Sequence, residues 1–240
     1  TIALEKRSAS NNPRSTVGTY TGIYDLYRLL YSRFSKHGSS PCSLYSNAFS
    51  FNNEAGACTE CHGLGFITKC DPEKLISNSS KSLLDGAMNG SKPGKFYGES
   101  NGQYVAILMA VGKKYGIDFS LPYNSLNEEA RQIAMYGCGD EIFDVEWSYK
   151  RKQLSGVHKM KSRWEGFCNY INDEYIRKHN DYRAENILPV MTDTTCNKCM
   201  GHRINNDRLK YLIANKNIGE VASMNAIEAV VWFKGLFVNK

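Results

Sequence analysis

Four cysteines in two widely separated CxxC motifs are the residues of this sequence best suited to chemistry. Cys58 and Cys61 form the first motif, Cys196 and Cys199 form the second, and one residue separates each motif from a following glycine. Thiolates at this spacing hold one side of a tetrahedral ion, and a small residue permits the sharp turn that follows. Two such pairs supply the four sulfurs of a closed structural site, so the sequence predicts Zn²⁺ bound by these four cysteines.

Buried or disulfide-bonded cysteines are the alternative to a metal site. Disulfides suit secreted chains, whereas no signal peptide or transmembrane run is visible in this sequence. We therefore favour the metal and expect a cytoplasmic protein with no membrane partner. The remaining cysteines have no partner at ligand spacing and are expected to be reduced thiols, with Cys70 a remote fifth ligand candidate; they are Cys42, Cys70, Cys138 and Cys168. His62 and His202 flank the motifs as spare ligands that four thiolates do not need.

A basic stretch between Trp147 and Trp164 is the second candidate site. It contains no acidic residue, and its candidate DNA-contacting side chains are Lys150, Arg151, Lys152, Lys159, Lys161 and Arg163. Such a stretch can neutralise phosphates and release counterions. Because it contains Gly156 and no helical apolar pattern, we expect a loop or a hairpin. The alternative is a solvated surface loop without a ligand, which is the usual place of a charge run.

The composition is that of an ordinary globular protein with a moderate basic excess. The chain has 240 residues, is 42% hydrophobic and 22% charged, and carries a formal charge of +6. This length is enough for one large or two small cores, and the charge permits a polyanionic partner without demanding one. The sequence does not begin with methionine, and we expect it to be a fragment of a longer protein.

Periodicity predicts a helix-rich α+β fold with small β-hairpins around the metal. Apolar residues recur at helical spacing in five segments, which are about 20–35, 103–116, 126–137, 165–180 and 225–237. Thr19 or Thr21 is expected to cap the first of these helices. Strands are predicted at 48–51, 66–68 and 142–147, the first two forming a zinc-pinned hairpin, and the Ser-, Gly- and Asn-rich segment 77–102 is predicted to be a mobile loop.

Motifs along almost the whole chain resemble those of the UvrA family, the DNA-binding ATPase of excinuclease ABC. The resemblance is carried, in order, by Asn12–Thr19, by Phe49–Asn52, by Gly56–Gly65, by Leu84–Ala87, by Leu126–Gly137, by Trp164–Gly166, by Cys196–Leu209 and by Asn217–Phe233. Members of the family are ABC-type ATPases of nucleotide excision repair that dimerise and bind damaged duplex DNA. The resemblance implies that residues 1–48 are the edge of an ABC nucleotide-binding domain. It implies that residues 49–240 are the zinc-containing signature or insertion domain of the first module.

The sequence departs from the family in ways that limit its activity. It contains no G-x-x-x-x-G-K-[ST] motif and no Leu-Ser-Gly-Gly element, and Asp140-Glu141 follows a glycine rather than an apolar strand. This chain alone is therefore not expected to hydrolyse ATP, and ATP with Mg²⁺ is expected only in a full-length, dimeric parent. Lys6 stands where the family has its Q-loop glutamine. The linker 36–48 is too short for a helicase-partner-binding domain, as in the truncated branch of the family, which includes members linked to resistance to DNA-binding antibiotics.

Two other classes of function are compatible with CxxC motifs. A protein-interaction module of the DnaJ type uses similar knuckles, but repeats them four times close together. A metal hydrolase needs an open coordination position and a nearby base, whereas four cysteines close the shell. We therefore rank both below a DNA-binding segment of a UvrA-like ATPase.

Overall fold

A computed structural model of the chain describes residues 12–151, 154–178 and 182–238. Lys6 and Lys152 lie outside the described residues. The chain divides into two compact units. We call Thr1–Ile67 with Thr194–Lys240 the knuckle unit, and Thr68–Asp193 the inserted unit. The predicted assignment of residues 1–48 to an ABC-domain edge and of 49–240 to an insertion domain stays a prediction.

The described residues form the helix-rich α+β fold that the sequence predicts. The helices are α1 Val17–Tyr20, α2 Ile23–Phe34, α3 Pro72–Leu75, α4 Lys92–Tyr97, α5 Gln103–Tyr115, α6 Glu128–Tyr136, α7 Phe167–Lys178, α8 Asn206–Leu209, α9 Ile218–Ala222 and α10 Ala226–Val238. The strands are β1 Lys36–His37, β2 Ser40–Pro41, β3 Phe66–Cys70, β4 Ile142–Arg151, β5 Leu154–Arg163 and β6 Met191–Thr195. They pair as three two-stranded sheets, β1–β2, β3–β6 and β4–β5. Within the described part of the chain, no helix is both long and apolar enough to cross a membrane.

The core of the knuckle unit lies under helix α2. Tyr24 and Tyr31 are buried on its inner face. Their hydroxyls donate hydrogen bonds to the carbonyl oxygens of Phe49 (2.9 Å) and Lys216 (2.7 Å). Each phenol thereby satisfies its polar end while its ring contributes to the core. These two bonds connect α2 to Phe49, which is close to it in the chain, and to Lys216, which is distant from it.

Two local predictions in the knuckle unit were wrong. Ser46–Phe49 is a short 3₁₀ helix rather than part of a strand, and β3 pairs with β6 instead. Helix α2 begins after Gly22, which has φ 76° and makes no side-chain cap. Thr19 instead joins Thr16 in a capping box at the start of α1. Sequence reasoning merged two short helices into one and so misplaced the cap.

The inserted unit is built around Trp164. This indole is fully buried, and its Nε1 donates a hydrogen bond of 2.7 Å to the carbonyl oxygen of Ile133 in α6. It also contacts Phe167 of α7 edge-on, with ring centroids 5.0 Å apart. Trp164 follows β5 directly, so it fixes the base of the β4–β5 hairpin to the two helices.

One further prediction fails in the inserted unit. The segment 77–102 was predicted to be a mobile loop, yet Leu83, Ala87 and Met88 are fully buried and α4 lies within it. The Ser, Gly and Asn content of 77–102 therefore indicates irregular backbone, but it does not indicate that the segment is loosely packed. The strand predicted at 142–147 is confirmed as part of β4, which pairs with β5 in the same unit.

Candidate functional site

The four cysteines of the CxxC motifs converge on one point in the knuckle unit. All four are buried, and their sulfurs lie within 4.8 Å of one another. The Sγ atoms of Cys58 and Cys196 are 3.9 Å apart, and those of Cys61 and Cys199 are 3.6 Å apart. A tetrahedral ion with bonds of about 2.3 Å separates its sulfur ligands by about 3.8 Å. The four thiols therefore fit a metal ion of this geometry.

The two CxxC segments, which we call the first and second knuckle, pair reciprocally through their backbones. The N–H of Cys58 donates to the carbonyl of Arg203 (2.9 Å), and the N–H of Cys196 donates to the carbonyl of Gly65 (3.0 Å). Gly65 and Arg203 each stand four residues after the second cysteine of their own knuckle. An antiparallel bridge between Ala57 and Ile204 extends this pairing. The arrangement is thus a pseudo-twofold pair that brings the four thiols together.

Left-handed backbone explains the residue types after each second cysteine. The next residue, His62 or Met200, has φ near 50°, and the glycine that follows, Gly63 or Gly201, has φ 83° or 82°. Four residues after the cysteine the chain is left-handed again, at Gly65 in the first knuckle. The second knuckle places Arg203 there, with φ 68°.

Arg203 links the second knuckle to its surroundings in the same unit. Its guanidinium lies over the ring of Phe51, 5.4 Å from the centroid, and its Nη1 donates to the carbonyl of Pro13 at 3.2 Å. Arg203 therefore has a structural role in the knuckle unit.

Burial and backbone N–H groups act in opposite directions on the thiols. Burial raises the pKa of Cys61 and raises that of Cys199 to about 12. Burial acts on Cys196 too, but the N–H groups of Cys199 and Lys198 hold its pKa below the ordinary value. A divalent cation among the sulfurs would favour the thiolate form at each of them, since it offsets the burial cost of the negative charge.

The other candidate ligands do not join this cluster. Among the described residues, the set of His, Cys, Asp and Glu side chains that could hold a metal consists of the four motif cysteines. Cys70 is buried in the core of the inserted unit, and Cys168 belongs to the same core. The ring of His202 packs against Gly219, where an added Cβ would lie 2.6 Å from its Cγ.

The described part of the predicted basic stretch forms the distal part of β4 and all of β5. Of the six predicted cations, Lys159, Lys161 and Arg163 lie on β5 with exposed side chains. Lys150 and Arg151 lie on β4, where their backbones pair with Ser155 and Leu154. The structure thus forms the hairpin that we expected as one of two outcomes.

Acidic residues opposite these cations are the feature that the sequence analysis missed. Glu146 Oε1 lies 2.8 Å from Lys159 Nζ, Asp144 Oδ1 lies 3.7 Å from Lys161 Nζ, and Asp140 Oδ1 lies 2.7 Å from Arg163 Nη1. The hydrogen bond and charge of Lys159 lower the pKa of Glu146, and Glu146 raises the pKa of Lys159 in return. Alternation of acidic residues at 144 and 146 was the available signal, because alternate residues share one face of a strand.

The fold and the site define a helix-rich α+β segment organised by a paired four-cysteine knuckle. A family profile described as "UvrA DNA-binding domain" matches residues 71–188. The UvrABC system protein A of Staphylococcus epidermidis is 30% identical over 199 residues, 83% of this chain and 20% of that protein. Its counterpart from Haemophilus ducreyi is 30% identical over 205 residues, 85% of this chain and 21% of that protein.

A solved structure has the same fold. UvrA2 from Deinococcus radiodurans matches with a TM-score of 0.61 and 20% identity, covering 92% of this chain and 27% of that one. The chain belongs to the UvrA family and corresponds to a segment of its members. It spans about a fifth of the length of the curated relatives that it matches. These matches give no support to the DnaJ-type alternative.

Proposed function

We propose that this chain is a DNA-binding, zinc-stabilised segment of a UvrA-like ABC ATPase acting in nucleotide excision repair or in self-resistance to DNA-binding drugs. The observation that carries the proposal is the match of residues 71–188 to a UvrA DNA-binding domain. That range encloses strands β4 and β5, and all six predicted DNA-contacting cations lie within it in the sequence.

Zinc has a structural role in this proposal. Cys58, Cys61, Cys196 and Cys199 would hold the ion, and all four sulfurs are buried in the knuckle unit. Binding free energy at such sites is about 10–16 kcal/mol and is shared with folding. Four thiolates leave no coordination position for a water or a substrate, so a hydrolytic role for the metal is not proposed.

Duplex DNA is the proposed partner of the hairpin. Its β5 cations stand at alternate positions, about 6.8 Å apart along one face of the strand. They are exposed, and their ion pairs with carboxylates are of the weak surface kind that a phosphate can replace. Each phosphate neutralised would release counterions and make binding salt-dependent.

The rest of the proposal concerns the parent protein. We propose that residues 1–48 form the edge of its nucleotide-binding domain and that its other ABC modules bind ATP and Mg²⁺. The parent is proposed to act as a cytoplasmic homodimer of the truncated type, without a helicase-partner-binding domain. A P-loop upstream of this segment and a Leu-Ser-Gly-Gly element downstream of it would support this assignment.

Duplex binding measured at several salt concentrations tests the DNA-binding proposal. We expect Lys150→Gln, Arg151→Gln and Lys152→Gln combined to weaken binding and to flatten the dependence of log K on log salt concentration. The slope should fall by about 0.9 for each phosphate that the protein no longer neutralises. A triple variant at Lys81, Lys92 and Lys95, exposed residues of the same unit, carries the same charge change. If the variant at 150–152 keeps the affinity and salt slope of the unaltered protein, or loses no more affinity than the control variant, the hairpin is not the DNA surface.

A further inference from the structure

Every described acidic side chain on β4 and in the turn before it faces a cation. On β4, Asp144 and Glu146 stand directly opposite Lys161 and Lys159 in the strand register. In the preceding turn, Asp140 pairs with Arg163, and Glu141 pairs with Lys114 of α5. The pairs of Asp140, Asp144 and Glu146 with the β5 cations follow the hairpin from its base outward, so these three pairs form a continuous ladder rather than isolated contacts.

The ladder lies on one face of the hairpin, and that face is exposed. Side chains at 144 and 146 are exposed, whereas those of Phe143 and Val145, which alternate with them along β4, are buried in the core of the inserted unit. The side chains of Lys159 and Lys161 are 78% and 77% exposed, and those of Glu146 and Asp144 are 67% and 86% exposed. Both charges of each pair are therefore accessible to a polyanion.

Opposite charges cancel over this part of the surface. Lys159, Lys161 and Arg163 carry three positive charges, and Glu146, Asp144 and Asp140 carry three negative ones. A phosphate that approaches this face must displace a carboxylate from each cation and is repelled by that carboxylate afterwards. The three basic residues of β5, which have no acidic neighbour within their own stretch of sequence, thus lie on a charge-balanced face in the structure.

We propose that Asp144 and Glu146 are specificity-determining residues that hold down the affinity of the hairpin for undamaged duplex DNA. They compete with backbone phosphates for Lys161 and Lys159. Phosphate contacts carry no sequence or lesion information, because every nucleotide offers the same group. When the carboxylates weaken these phosphate contacts, discrimination between damaged and undamaged DNA depends on other contacts of the protein. This inference rests on the proposed DNA-binding function of the hairpin.

Neutralising the two carboxylates tests the inference. Asp144→Asn with Glu146→Gln keeps side-chain size and removes both competing charges. We expect this double variant to bind an undamaged duplex about two- to thirty-fold more tightly at 100 mM salt, the range set by the usual strength of two exposed pairs. The gain should vanish when Lys159→Gln and Lys161→Gln are added, because the freed cations are then absent.

A matched control separates position from net charge. Asp85→Asn with Glu129→Gln makes the same change of two charges at exposed positions of the same unit that do not belong to β4 or β5. Far-ultraviolet circular dichroism and the melting temperature of each variant report folding. If the Asp144/Glu146 variant gains no more affinity than this control while the unaltered protein binds duplex, the inference is overturned and the proposed function stands. If neither the unaltered protein nor the Asp144/Glu146 variant binds duplex DNA, both the inference and the proposed DNA-binding function are overturned.

Discussion

Gly63 and Gly201 occupy the same position in the two knuckles but have different space around their α-carbons. A Cβ at Gly63 would lie 1.9 Å from the carbonyl oxygen of Phe51, whereas a Cβ at Gly201 would meet Thr195 Cγ2 at 3.5 Å. Both residues have φ just above 80°. Substitution at Gly201 therefore measures the cost of left-handed backbone alone, whereas substitution at Gly63 measures that cost together with a steric clash.

We expect Gly201→Ala to lower the free energy of unfolding by about 1–3 kcal/mol, which is the cost of a non-glycine residue in left-handed backbone. Gly63→Ala should cost more than that and should weaken metal retention, because the Phe51 backbone must move away from the first knuckle. Urea unfolding of the metal-loaded variants, with metal content measured in parallel, checks this. Equal effects of the two substitutions would show that the crowding at Gly63 is unimportant.

Each ligand cysteine is expected to be needed for both metal and fold. Cys58→Ser or Cys199→Ser removes one sulfur from a buried four-thiol site, so the remaining three thiols no longer complete a tetrahedral shell. We expect less than one zinc per chain by elemental analysis and a lower, broader thermal transition. Cys138→Ser, which alters a half-buried thiol of the inserted unit, should keep the full metal content. A Cys199→Ser protein that folds with a full complement of zinc would contradict the proposed site.

The ligand set could be predicted from sequence because its information is local. A CxxC spacing and a trailing glycine describe a turn, and each knuckle makes that turn independently. Arg203 could not be recognised in the same way. Arg203 has left-handed backbone at the position where the first knuckle has Gly65. Its side chain packs on Phe51, and this contact between segments distant in the chain is not visible in the sequence.

At the scale of elements, amphipathic helices were predictable and strand partners were not. The predicted helices near 103–116, 126–137 and 165–180 correspond to α5, α6 and α7, because a 3.6-residue period is visible within one segment. The partner of β3 is β6, more than a hundred residues later, and no short-range pattern specifies it. Phe49 and Phe51 alternate with Ser50 as in a strand, so 48–51 was predicted to be one, although its first two residues belong to the 3₁₀ helix Ser46–Phe49.

Trp164 provides a test of how the elements of the inserted unit are joined. Trp164→Ala removes a fully buried indole and its hydrogen bond to Ile133. We expect a loss of about 3–5 kcal/mol in the free energy of unfolding, as for other large core truncations. Trp147→Ala should cost clearly less, since Trp147 is only partly buried on β4. Denaturant unfolding followed by circular dichroism measures both, and similar losses would argue against Trp164 as the junction.

At the scale of the whole molecule, the metal site closes a loop that contains a complete unit. The ligands Cys61 and Cys196 precede and follow the inserted unit, Thr68–Asp193, which has its own buried core. All four ligands belong to the knuckle unit, whose other core residues lie around Phe49 and Ile204. Metal binding is therefore expected to be coupled directly to the folding of the knuckle unit, to which all four ligands belong.

Removal of the metal should accordingly affect the two units unequally. With a strong zinc chelator present, we expect amide hydrogen exchange to quicken by one or more orders of magnitude in 46–67 and 194–224. Exchange in α5, α6 and α7 should change little, because the core around Trp164 contains none of the ligands. Mass spectrometry of peptic fragments, with and without the chelator, measures both regions at once. Equal acceleration of exchange in both regions would mean that the two units unfold together. No acceleration near the cysteines would show that the metal does not stabilise the knuckle unit.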